Sequence, residues 1–226
     1  MTAITNVILV HGAWADGSSW AKVIPLLAKQ GLAVTAVQLP LNSFEADVAA
    51  VKRAIALAEG DVVLVGHSYA GAVISDAGND PKVARLVYVD AFEPDAGESA
   101  GSLFGQFQSA PLGAEIRPDA EGFLALSRTG IFELFAQDVS EDEKLVTFAT
   151  QGPINGAALG GTVTQAAWRS RPTFYLIGDQ DHAIPPVEQE RMAARMNATI
   201  GHVNSSHVPM LSQPAAVASF ILQAAV

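Results

Sequence analysis

Ser68 stands between a run of four β-favouring apolar residues, Val62-Val63-Leu64-Val65, and a helix-compatible run from Ala72 to Ala77. Between them lies Gly66-His67-Ser68-Tyr69-Ala70-Gly71. A serine on a sharp strand-to-helix turn is held with its hydroxyl exposed at the end of a sheet, where it can act as a nucleophile. Such a turn needs small residues on both sides of the serine. Gly66 meets that need, and Ala70 with Gly71 behind it meets it less fully. A hydroxyl is a weak nucleophile, so it requires a base, and the base requires an orienting acid. Downstream, the chain supplies Asp181 and then His207.

The chain has five histidines, His11, His67, His182, His202 and His207. His11 and His67 lie in tight turns and are expected to hold the loops beside Ser68. His182 is expected at the surface, and His202 lies inside a strand. His207 follows the last strand, with Pro209 shaping the exit of its loop, and is the candidate base. Asp181 is the candidate acid, with Asp179 two residues earlier and Asp90 at the end of the fourth strand as rivals. A loop Asp without such a role is usually a turn former or a helix cap.

Acyl transfer also needs preorganised donors for an oxyanion. The N–H of Tyr69, directly after the serine, is one candidate. The second is the N–H of Ala13, just after His11-Gly12, where glycine permits a close backbone approach. Trp14 and Tyr69, tied to these two loops, are expected to line the substrate pocket. Phe104, Phe107 and Trp168 are assigned there too, while Phe132 and Phe135 are divided between pocket and core.

The elements that must position these residues alternate β and α. Strands are expected at Val7–Val10, Leu32–Leu39, Val62–Val65, Val83–Val89, Thr173–Ile177 and Ala198–Val203. Helices are expected from Ser18 or Ser19 to Gln30, from Ser43 to Glu59, after Ser68, from Val187 to Met196, and from Pro214 to Ala224. Pro25 should kink or split the first helix. Continuous apolar strands in βα alternation imply a parallel sheet covered on both faces. Ligands bind such sheets beyond the carboxyl ends of the strands, where the loops bearing Ala13, Ser68, Asp181 and His207 converge. Residues 1–92 and 172–226 form the core in this reading. Residues 93–171 lose the alternation and form an insertion over the sheet, within a single domain. No clear strand stands out there, and helices are expected at about Ala120–Arg128 and Ser140–Thr150.

Composition narrows the function classes. The 226 residues are half apolar and carry a net charge of −10. That balance disfavours nucleic acid and anionic membrane surfaces as partners. With no cysteine, disulfides and thiolate chemistry are excluded, and no metal site is assigned. The N-terminal Met1-Thr2-Ala3-Ile4-Thr5-Asn6 lacks a basic start and cleavage pattern, and no apolar run reaches the length of a membrane span. A soluble, cytoplasmic protein is expected, with a homodimer left open.

The segments His11-Gly12-Ala13-Trp14, Gly66 to Gly71, Gly178-Asp179-Gln180-Asp181 through Ile184-Pro185, and Ser206-His207-Val208-Pro209-Met210-Leu211-Ser212-Gln213-Pro214 resemble the α/β-hydrolase superfamily. They are similar to its small branch of plant methylesterases, hydroxynitrile lyases and bacterial carboxylesterases, including pyrethroid hydrolases. Asp90-Ala91-Phe92, Pro94, Gly97 and Glu98 resemble the segment leading into the cap of that branch. The resemblance implies the α/β-hydrolase fold: a mostly parallel sheet of about six strands flanked by helices, with a small helical cap. It implies a Ser68–His207–Asp181 triad and no cofactor, with a small-molecule ester as substrate. Cyanohydrin-cleaving members place Thr where this chain has Gly12, and Lys where it has Val208, which weighs against a carbon–carbon lyase. A ligand-binding or signalling protein that turns over slowly is the non-enzymatic alternative.

Overall fold

The computed structural model describes residues 4–107 and 110–226. Met1-Thr2-Ala3, read above for targeting signals, lies outside the described residues. The first half of the chain gives β1 (Asn6–Val10), α1 (Ile24–Ala28), β2 (Ala33–Val37), α2 (Phe44–Leu57), β3 (Val62–His67), α3 (Ala70–Ala77) and β4 (Val83–Val89). The alternation resumes after residue 172 with β8 (Thr173–Gly178), α7 (Pro186–Arg195), β9 (Thr199–Val203), α8 (Pro209–Ser212) and α9 (Pro214–Gln223). The six strands form one sheet in the order β2-β1-β3-β4-β8-β9, with every neighbouring pair parallel.

Burial explains the strand composition. Every residue of β1 and β3 is buried, so these central strands are apolar on both faces. The edge strands β2 and β9 are largely exposed or half-buried, which is why polar residues such as Thr35 and His202 are tolerated there. Val10 pairs with Gly66, and His67 pairs with Val89. This register brings the loops after β1, β3 and β4 to one end of the sheet.

The first expected helix is split, as Pro25 suggested. A 3-10 turn covers Gly17–Trp20, and α1 follows with Pro25 in its first turn, where a missing N–H costs no intrahelical bond. The 3-10 turn is capped by Asp16, not by Ser18 or Ser19: the Asp16 carboxylate accepts from Ser18 N at 2.6 Å. Ser43 caps α2 as anticipated, accepting from Ala46 N.

Residues 93–171 contain more than helices. They give α4 (Ala100–Phe104), β5 (Ile116–Pro118), β6 (Phe123–Leu126), α5 (Glu141–Thr150), β7 (Ile154–Asn155) and α6 (Gly156–Gly160). Strands β5, β6 and β7 form an antiparallel sheet in that order. The helix expected over Ala120–Arg128 is therefore a hairpin strand. Asp119 accepts from the N–H groups of Glu121 and Phe123 at 2.8 Å each, and Gly122 takes φ 82°. That Asx-type turn reverses the chain before a helix can start. The helix over Ser140–Thr150 does form, as α5, closed by a Ser140–Glu143 capping box.

This segment is tied to the rest of the chain at several points. Trp14 Nε1 donates to Leu124 O at 2.8 Å, Asn155 N donates to Leu41 O at 2.8 Å, and Thr164 donates to Asp76 from both N and Oγ1. Among the described residues, no helix is long and apolar enough to cross a membrane.

Candidate active site

Strand β3 runs straight into the turn that carries Ser68. Ser68 takes φ 55°, a left-handed conformation rare for a residue with a Cβ. Such strain persists only where the surroundings over-determine it. Here Ser68 N donates to Val89 O, and Ser68 O accepts from both Gly71 N and Phe92 N. Ala70 is the first residue of α3 and is fully buried. The position that must lack a side chain is Gly71, one residue later, so Ala70 is accommodated without loss of the turn.

The three spaced residues meet. His207 Nε2 lies 2.8 Å from Ser68 Oγ, and His207 Nδ1 lies 2.7 Å from Asp181 Oδ2. Ser68, Asp181 and His207 are 4%, 2% and 1% exposed, so the chain of contacts is shielded from water. The carboxylate can only accept, which places a proton on Nδ1 and leaves Nε2 to accept from the serine hydroxyl. Asp181 is itself held firmly. Its Oδ1 accepts from Ala183 N at 2.7 Å and Ile184 N at 3.0 Å, and its Oδ2 also accepts from Gln189 Nε2 at 2.7 Å.

The rival acids are placed elsewhere. Asp179 pairs with His202 Nδ1 at 2.8 Å at the exposed edge, where Glu190 also approaches His202. Asp90 directly follows β4, takes φ 45° and is fully buried. Its Oδ1 accepts from Gly178 N at 2.5 Å, not from His207. Burial, and next the Asp181 charge, push the Asp90 carboxyl well above the usual range. Asp90, Asp181 and His207 offer ligand atoms within 4.8 Å of one another, the one such group of three among the described residues. Asp181 Oδ2 and His207 Nδ1 already share a hydrogen bond, which an ion would have to break.

His11 and His67 serve the loops. His11 Nδ1 donates to Gly12 O at 2.8 Å, while its Nε2 accepts from Leu39 N at 3.0 Å. His67 Nε2 donates to His207 O at 2.7 Å, fixing the backbone of the base. Burial holds both imidazoles below their ordinary pKa, so both are neutral.

Ala13 and Tyr69 line the same cavity as Ser68. Neither backbone N–H donates to a protein acceptor among the described residues. The Tyr69 side chain points its hydroxyl at Asp47 Oδ2, 2.8 Å away, and Asp47 Oδ1 accepts from Leu41 N. Burial is the main cause that raises the Asp47 carboxyl, opposed by these two donors. Sequence reasoning missed Asp47, and nothing in an amphipathic helix marks one carboxylate as inward-facing. It also missed Gln189, an uncharged residue among charged neighbours on α7.

The cavity over Ser68 and His207 is small, about 70 Å³, and almost wholly apolar. Trp14, Tyr69 and Phe104 border it, joined by Phe92, Leu112 and Leu159. Two assignments are corrected. Phe107 is outside the wall and stacks on Phe92 at 5.9 Å between centroids. Trp168 is also outside it: its Nε1 donates to Pro94 O at 3.1 Å, and its ring is covered by the Arg169 and Arg195 guanidiniums. Arginines at the surface hold that indole as a joint between segments. Phe135 packs edge-on against His207 with centroids 5.0 Å apart. A wider cavity of about 260 Å³ lies along α5, bordered by Trp14, His67 and Phe135, and does not include Ser68.

The α/β hydrolase family model matches residues 7–220. Among characterised relatives, Methylesterase 1 of Arabidopsis thaliana is 26% identical over 251 residues, covering 97% of this chain and 95% of that protein. The pyrethroid hydrolase of Sphingobium wenxiniae is 29% identical over 254 residues, covering 96% of this chain and 86% of its own. A crystal structure of a pyrethroid hydrolase from Sphingobium faniae superposes with a TM-score of 0.86 at 25% identity, covering 98% of this chain and 97% of the other. A serine elbow, a six-stranded parallel sheet and a family match over most of the length lead to one assignment: the chain belongs to the α/β hydrolase family.

Proposed function

We propose that this protein is a serine carboxylic-ester hydrolase acting on a small or medium apolar ester through an acyl-enzyme intermediate. The observation that carries the reading is the unbroken run from Ser68 Oγ to His207 Nε2 at 2.8 Å and from His207 Nδ1 to Asp181 Oδ2 at 2.7 Å. Ser68 attacks the ester carbonyl while His207 takes its proton. Asp181 orients the imidazole and stabilises it when charged. The N–H groups of Ala13 and Tyr69 bind the oxyanion. His207 then protonates the leaving alkoxide, takes a proton from the water that attacks the acyl carbonyl, and returns it to Ser68 Oγ as the acyl–oxygen bond breaks and the acid leaves. The scheme uses no cofactor.

Two features support the ester over the carbon–carbon lyase. A Cβ on Gly12 would stand 2.7 Å from Ser68 Cβ, so no hydroxyl-bearing side chain fits at that position. Val208, after the histidine, is buried and apolar and offers no cation to a departing cyanide. The relatives are named as hydrolases and esterases, which agrees with this choice. The apolar wall favours uncharged acyl and alkoxy groups.

The test is Ser68→Ala. Hydrolysis of p-nitrophenyl acetate should fall by about 10³-fold or more, with circular dichroism unchanged. A fluorophosphonate should label the parent protein and not the variant. Full esterase activity in Ser68→Ala would sink the reading. Rapid labelling of the parent without turnover on any ester would favour the slow, ligand-binding alternative.

A further inference from the structure

One side chain borders two cavities. Trp14 lines the space of about 70 Å³ over Ser68 and also the space of about 260 Å³ along α5. The indole is held in place. Trp14 takes φ 58°, a left-handed conformation that its surroundings must enforce. Its Nε1 donates to Leu124 O at 2.8 Å, and its ring meets Phe135 edge-on with centroids 6.3 Å apart. Phe135 borders the wide cavity and packs against the His207 ring. Val208, next after His207, borders the wide cavity too. Trp14 is thus common to both spaces, and Phe135 and Val208 set the wider one beside the base.

An ester has two arms. The two spaces differ in volume, about 260 against 70 Å³, and the smaller one takes a short arm only. Proton transfer decides which arm goes where. His207 protonates the alkoxy oxygen as the acyl–oxygen bond breaks, so that oxygen must come within hydrogen-bonding reach of His207 Nε2. The alkoxy arm therefore leaves on the histidine side, beside the wide cavity, and the acyl arm keeps the small one.

We propose that the cavity along α5 is the alkoxy subsite, taking the long uncharged apolar alcohol of an ester whose acyl group is short, with Trp14 setting how large that arm can be. The inference rests on the ester-hydrolase reading and names its substrate class. The wall suits such an arm. Its buried residues are Trp14, Phe135, Val208 and Met210, together with His67, whose imidazole is neutral. Burying alkyl groups against such side chains is favourable. Asp142 lies on the exposed side and disfavours an anionic arm. The arm reaches this space past Trp14, whose single side-chain donor is spent on Leu124 O.

The tests use two isomeric esters. Hexyl acetate has its long arm on the alkoxy side, and methyl heptanoate has it on the acyl side. kcat/KM should favour hexyl acetate by about tenfold. Val146 borders the wide cavity and is 60% exposed, so a larger side chain there leaves the core undisturbed. Val146→Trp should lower kcat/KM about tenfold for hexyl acetate and less than about twofold for methyl acetate. Trp14→Phe keeps a ring and gives up the bond to Leu124 O. It should raise the ratio of hexyl to methyl acetate about threefold. 1-Hexanol should bind Ser68→Ala, read by calorimetry, and should bind the Ser68→Ala, Val146→Trp double variant about tenfold more weakly. That readout needs no turnover. A preference for methyl heptanoate, equal losses on both acetates in Val146→Trp, an unchanged ratio in Trp14→Phe, or equal 1-hexanol binding by the two Ser68→Ala proteins overturns the proposal. Any of these, combined with methyl acetate hydrolysis that disappears in Ser68→Ala, defeats this inference alone and leaves the ester-hydrolase reading standing.

Discussion

Gly71 and Phe92 approach so closely that a Cβ on Gly71 would stand 2.0 Å from the Phe92 carbonyl oxygen and 2.9 Å from Ala91 Cβ. Phe92 N in turn donates to Ser68 O. The segment after β4 is thus clamped against the serine turn, and its Phe92 ring borders the cavity above Ser68. Gly71→Ala must displace backbone, because the obstruction is a carbonyl and not the end of a flexible side chain. We expect a loss of about 3 kcal/mol, read from urea unfolding, with a lower kcat because Ser68 shifts with its clamp. An unchanged midpoint would show that the contact is looser than this geometry.

Asp76 predicts a loss of stability in acid. It joins α3 to the later segment through Thr164 N and Oγ1, and it pairs with Lys52. Burial raises its carboxyl, but the two Thr164 hydrogen bonds and Lys52 outweigh burial and leave the pKa below the ordinary value. A depressed pKa stabilises the fold above the unfolded value, and that stability is lost as pH falls through the folded one. Asp76→Asn should cost about 1–2 kcal/mol near neutral pH and almost nothing in strong acid, measured by urea unfolding at both. A cost independent of pH would mean that the charge contributes nothing.

Leu159 predicts substrate size. It borders the 70 Å³ cavity and is half-buried, so shortening it opens space without emptying the core. Leu159→Ala should raise the kcat/KM preference for a butyrate over an acetate ester of p-nitrophenol by about tenfold. A ratio that stays fixed would place the acyl group elsewhere.

Much of this arrangement was legible in the chain itself. The strands Val7–Val10, Val62–Val65 and Val83–Val89 are apolar because both faces of a central parallel strand are covered, so their identity and order follow from local pattern alone. Ser68, Asp181 and His207 were legible for a related reason: each follows a strand, and parallel strands deliver all their carboxyl-end loops to one side. Ser43 and Ser140 announced their helices because an N-cap is a local hydrogen bond.

Other features depend on contacts between residues far apart in sequence. The stretch Ala120–Arg128 reads as weak helix until Asp119 and Gly122 turn the chain and β7 pairs with β6 from about thirty residues away. Trp168 and Phe107 are apolar in either role, and only packing placed them behind the cavity. Asp47 and Gln189 look like ordinary helix residues, and only burial reveals them as partners of Tyr69 and Asp181. By itself, the sequence determined which residues could do chemistry and the order in which the sheet would present them, because βα alternation is written locally. The tertiary structure alone decided which acid takes the histidine, because that choice depends on which carboxyl the folded loops bring to the imidazole.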